Sequence, residues 1–70
     1  MKIKYFADTD TALIEMKERP VEETIEINEN LYIDVDKDGN VVSITIEHAK
    51  ENMNLPEFSY EELREQPKSA

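Results

Sequence analysis

With no cysteine among its 70 residues, the chain has no disulfide staple, zinc ribbon, thiol nucleophile or iron–sulfur cluster. A single histidine, His48, cannot build the multi-histidine sites that most protein-bound zinc requires. One glycine and three prolines exclude collagen-like, elastic and linker-like composition. No apolar run approaches the ~20 residues of a membrane-spanning helix. The opening Met1-Lys2-Ile3-Lys4-Tyr5-Phe6 lacks the roughly 7–15-residue apolar stretch of a secretory signal. The expectation is a cytoplasmic protein of one small domain.

Positive charge is also scarce. Eight basic side chains face seventeen acidic ones, a net charge of −9. The excess is concentrated: residues 1–20 balance to zero, whereas 21–47 hold eight acids against Lys37 alone. Such a field repels phosphate backbones and anionic lipid headgroups, so neither nucleic acid nor a membrane is an expected partner. It favours cations and basic protein surfaces. At this length a single core supplies only a few kcal/mol, about 3–5 at most, so a dimer or permanent partner is a common supplement.

Period-two alternation dominates what remains. Ile3 and Tyr5 alternate with Lys2, Lys4 and Phe6 in a first strand, and Asp8-Thr9-Asp10-Thr11 makes a turn. Ala12, Ile14 and Met16 alternate with Leu13, Glu15 and Lys17 in a second strand, which Arg19-Pro20 ends. Ile25 and Ile27 point inward from a third. Leu31, Ile33 and Val35 do so from a fourth, and Val42, Ile44 and Ile46 from a fifth. Between the last two, Asp36-Lys37-Asp38-Gly39-Asn40 closes a hairpin in which only Gly39 adopts positive φ at no steric cost.

The resulting apolar face needs a lid, and the C-terminal third is expected to provide it. A short helical turn is expected around 47–53. A better-marked helix starts at Ser59, where Ser59-Tyr60-Glu61-Glu62 reads as a capping box and Phe58 and Leu63 as a hydrophobic staple. Pro67 ends it. The predicted fold is α+β: an antiparallel meander of about five strands over 1–47, a helical segment over 48–66 packed on one face, and a tail over 67–70.

The order of these features is similar to that of a group of short prokaryotic proteins. Met1-Lys2-Ile3-Lys4-Tyr5, the acidic turn at 8–11, Ile14-Glu15-Met16, Asp34-x-Asp36-x-Asp38-Gly39, and Ile44-x-Ile46-Glu47 with Ala49 resemble the family of unknown function DUF2283 over about residues 1–50. Lys50 stands where similar sequences more often carry serine. The resemblance implies a fold and no catalytic residue. It also implies membership of small two-gene modules, with an antitoxin-like role.

Three constellations are candidates for chemistry. Asp34-x-Asp36-x-Asp38-Gly39 matches the first half of a calcium loop, but the twelfth position is Thr45, where a bidentate glutamate belongs. Asp34, Asp36 and Asp38 are therefore candidate ligands for a weakly held cation, against the plainer reading of a soluble hairpin turn. His48 beside Glu47, with Ser43 or Ser59, lacks the strained elbow and oxyanion glycines of a serine hydrolase. No catalytic residue, enzyme activity or cofactor is expected. Finally, Phe6, Leu13, Tyr32 and Val41 fall on the face opposite the core; with Phe58 and Leu63 they are the candidate interface. The composite expectation is an acidic interaction module for a basic protein partner, a homodimer, or both.

Overall fold

The computed structural model describes residues 1–64. Five strands form in chain order: β1 (Lys2–Phe6), β2 (Thr11–Glu15), β3 (Glu23–Asn28), β4 (Leu31–Val35) and β5 (Val41–Ile46). One short helix, α1 (Ala49–Asn52), follows. All neighbouring strands are antiparallel, and their spatial order is β1-β2-β5-β4-β3. β3, β4 and β5 thus succeed one another as a meander. The β1–β2 hairpin then joins this unit by pairing β2 with β5, the strand furthest from it in sequence.

That order requires residues 16–22 to cross one end of the sheet. Backbone hydrogen bonds mark the route: Met16 and Lys17 N–H both reach the Val42 carbonyl, and Glu22 N–H reaches that of Val35. Arg19, midway, donates to the Asp36 carboxylate at 3.0 Å, tying the crossing to the β4–β5 turn.

Directly paired residues share a face of the sheet. Ile3, Ile14, Ile44, Ile33 and Ile25 are therefore one isoleucine row running across all five strands. Tyr5, Ala12, Ile46 and Leu31 form a second row on that face. The opposite face carries Lys4, Leu13, Thr45, Tyr32 and Glu26, then Lys2, Glu15, Ser43, Asp34 and Thr24. β-Branched side chains at alternate positions suit a pleated surface with one side out of water, which is why the two faces differ so in polarity. Register shifts on β3 and between β4 and β5 bend the sheet, the second setting both Val41 and Val42 against Val35.

The expected helix from Ser59 is not present: residues 59–64 are non-helical, and 65–70, including Pro67 and the tail, lie outside the described residues. Phe58 and Leu63 are 63% and 78% exposed, so no staple forms. The capping box is a local signal, and a helix of about seven residues persists only when docked; this segment meets no apolar face. The helix packed on the sheet is accordingly reduced to the single turn of α1, and the α+β fold is dominated by strand. α1 stands at the Tyr5–Leu31 end. Its Ala49 N–H donates to the Asp10 carbonyl at 2.8 Å. Lys50 and Met53 share a groove with Ile3 and Tyr5, and Asn52 shares a hollow with Leu31 and Ile46.

The core is correspondingly thin. Ala12, Val35, Val42 and Ala49 are the buried apolar residues, and among the described residues no isoleucine, leucine, methionine or aromatic side chain reaches that state. The face the sequence marks as interior is present, complete and largely without a second layer.

Candidate functional site

The apolar face is the site candidate with the strongest structural basis. Its central row is half-buried by neighbours within the sheet, and its margins are open: Ile25 is 39% exposed and Met16 41%. On the β1 side, residues 53–58 leave the sheet and wall off a groove of about 640 Å³ with Met1, Ile3 and Tyr5. Its lining is predominantly apolar, with Lys50 and Glu57 at the border. Lys50 Nζ lies 5.9 Å from the Tyr5 ring centroid, within cation–π range.

The aspartate hairpin is organised around itself. Asp36 Oδ1 accepts the backbone N–H groups of Asp38 and Asn40, each at 2.9 Å, while Oδ2 receives Arg19. The Asn40 N–H first, then the Arg19 guanidinium, hold the Asp36 carboxyl below its ordinary range. Gly39, at φ +83°, reverses the chain. Asp34 belongs to a different surface: it sits on the polar sheet face and accepts the hydroxyls of Thr24 and Ser43, both at 2.6 Å. Asp38 is exposed at the turn. The structure does not gather Asp34, Asp36 and Asp38 into one donor set, and among the described residues no three acids or histidines converge as metal ligands.

Other polar groups are also engaged. The Tyr5 hydroxyl donates to Asp10 Oδ1 at 2.6 Å, which lowers the Asp10 pKa and raises that of the tyrosine. Asp10 and His48 both adopt the left-handed region, at φ 54° and 52°. His48 Nδ1 lies 2.8 Å from Asn30 Oδ1, near the end of β5 opposite Ser43. Ser43 and His48 are therefore not partners. Among the described residues no buried side-chain nitrogen or oxygen lacks a hydrogen bond, so no buried group there is left waiting for a ligand.

The expected interface residues disperse. Leu13 and Tyr32 flank Thr45 in one cross-strand row of the polar face. Phe6, 45% exposed, lies beyond Leu13 at the end of β1. Val41 is at the other end, beyond the polar row of Glu15, Ser43, Asp34 and Thr24. Phe58 instead joins the groove on the apolar side, and Leu63 projects from the extended segment. Sequence reasoning assigned the isoleucine row to a covered interior and so did not consider it as a surface. Alternation marks a face as apolar and does not say what covers it.

Antiparallel strands, faces of unlike polarity and an open apolar side together define a small sheet protein with an exposed apolar face. Its sequence places it in a family: the chain belongs to the family described as Protein of unknown function (DUF2283), which matches residues 2–50. The matched span takes in all five strands and the first residues of α1. Comparison with curated proteins and with solved structures gives no match.

Proposed function

We propose that this chain is a non-enzymatic protein–protein interaction module that uses its open isoleucine face for assembly and its acidic outer surface for a basic partner. The observation that carries the reading is the uncovered apolar face. A contiguous apolar surface spanning five strands is unusual on a monomer in water and marks an interaction site. The acids of residues 21–47 lie on the polar face, the turns and the β3 edge, where they would steer a basic surface into place. Masking such a surface by charge and shape is the antitoxin-like form of this function.

The test is recovery of partners on the tagged full-length chain from host lysate at low and at high salt. One basic protein at near equal stoichiometry, released by salt, is the expected result, because exposed charges are screened beyond ~8–10 Å at 0.1–0.15 M ionic strength. Capture that is indifferent to salt would remove the acidic-docking part and leave the apolar face to carry all binding.

A further inference from the structure

We infer that the isoleucine face is covered by a second copy of this chain, two sheets packing face to face as a homodimeric β-sandwich. The inference rests on the reading of that face as a docking surface, and it names the occupant.

The first argument is the absence of a core. No side chain larger than valine is buried among the described residues. A cover is therefore needed wherever the chain is folded, and another copy is the cover always made with it. The described residues after α1 do not supply one: residues 54 and 56–64 are exposed.

The second argument is charge. The isoleucine row and the Tyr5–Leu31 row contain no ionisable group except the Tyr5 phenol. Two chains of net charge −9 can thus meet across these two rows without opposing carboxylates within them, and Glu23, opposite Val35, shares the face only at the end of edge strand β3. An uncharged face also gives no preference to a basic partner, which the polar side does.

The third is area. The chain exposes 6092 Å², against about 4,500 Å² for a compact folded monomer of its mass. The open face and the exposed residues 56–64 both contribute to the excess. A stable interface removes roughly 800 Å² per partner. The sheet face alone, roughly 24 by 17 Å from strand spacing and rise, offers on the order of 400 Å² in flat projection. Side-chain relief and the groove walls bring the total toward the required area.

The fourth is self-complementarity. One end of the face is concave, the groove between β1 and residues 53–58. The other end carries uncovered apolar side chains, Ile25 and Ile27 being 39% and 53% exposed on edge strand β3. A two-fold axis parallel to the strands and between the sheets sets each copy's β3 against the other's groove, an isologous contact that closes on itself. Sheets packed this way lie about 10 Å apart with strands within about 30° of each other.

The experiment is analytical ultracentrifugation of the full chain over a wide concentration range, with the fluorescent dye ANS as a probe of open apolar surface. The expected result is a species of two 8.2 kDa chains that binds little dye and melts at higher temperature as concentration rises. Ile25→Lys, on the apolar side of β3, should abolish the dimer, whereas Thr24→Lys, on the polar side of the same strand, should leave it intact. Should Ile25→Lys fail to fold, intermolecular NOEs between labelled and unlabelled wild-type chains decide: contacts from Ile25 and Ile33 to the second copy support the sandwich. A folded monomer that binds ANS strongly would overturn the homodimer and leave a docking face for a different partner. A folded monomer that binds no dye, with intramolecular contacts from residues 53–64 to the isoleucine row, would overturn both the homodimer and the docking face.

Discussion

Gly39 and Asp36 show how much of the β4–β5 turn depends on single residues. A Cβ at Gly39 would meet nothing within 4 Å, so a substitution there is penalised by backbone conformation alone. Gly39→Ala should cost about 1–2 kcal/mol in urea denaturation, and Gly39→Asn less, because asparagine tolerates the left-handed region. Asp36, Asp10 and Glu15 all have lowered pKa values, led respectively by the Asn40 N–H, the Tyr5 hydroxyl and Lys4. A carboxylate depressed in the folded state stabilises above its ordinary pKa and loses that contribution as pH falls through the folded one. The native state should therefore weaken on acidification below the ordinary aspartate value of 3.8, and Asp36→Asn should flatten that dependence in melts recorded at several pH values. Tyr5→Phe should return Asp10 toward its ordinary titration, readable by NMR. At this scale the hairpin was legible, because aspartate and glycine at these offsets have a local mechanism. The Arg19–Asp36 pair was not, since it depends on where the chain crosses the sheet.

The five strands were legible as elements for a similar reason: alternation is written residue by residue, and it assigned Ile3, Ile14, Ile25, Ile33 and Ile44 to one side. Alternation determines faces and not neighbours. The pairing of β2 with β5, which sets Ala12 opposite Ile46, leaves no trace in the pattern of either strand. The helix expected from Ser59 is the converse case, a local signal without tertiary support. Ser59→Ala combined with Glu62→Ala should leave stability within about 0.5 kcal/mol, as for exposed positions generally, whereas loss of a formed cap costs about 1 kcal/mol. Chemical denaturation of the double variant distinguishes these outcomes. Within the sheet, Ala12 is fully buried in a position with room for little else. Ala12→Leu should cost about 1–3 kcal/mol by overpacking beneath the α1 end, measured by the same method.

Across the whole molecule, net charge and the open face act in opposite directions on assembly. Seventeen acids against eight bases give a self-repelling surface, while the isoleucine face favours contact. Added salt screens the repulsion and leaves apolar burial intact. The thermal midpoint should therefore rise between low and physiological ionic strength; a fall would mean that the Lys4–Glu15 and Arg19–Asp36 pairs outweigh the excess of acid. The candidate site was legible only in part at this scale. Composition indicated that a chain this short would need outside help, but burial is a property of layers, and alternation cannot report how many layers the chain completes. The crossing of residues 16–22 has a temporal counterpart during synthesis. β5, the last in chain order of the described strands, is the central one, so the β1–β2 hairpin emerges with one edge unmet until residue 46 is available. Until then β3 and β4 can pair only with each other. Joining contacts separated by 28 to 34 residues is entropically slow compared with closing either hairpin. A nascent or truncated chain lacking β5 therefore amounts to two ribbons with no hydrogen-bonded strand between them, and it is β5 that makes one sheet of them.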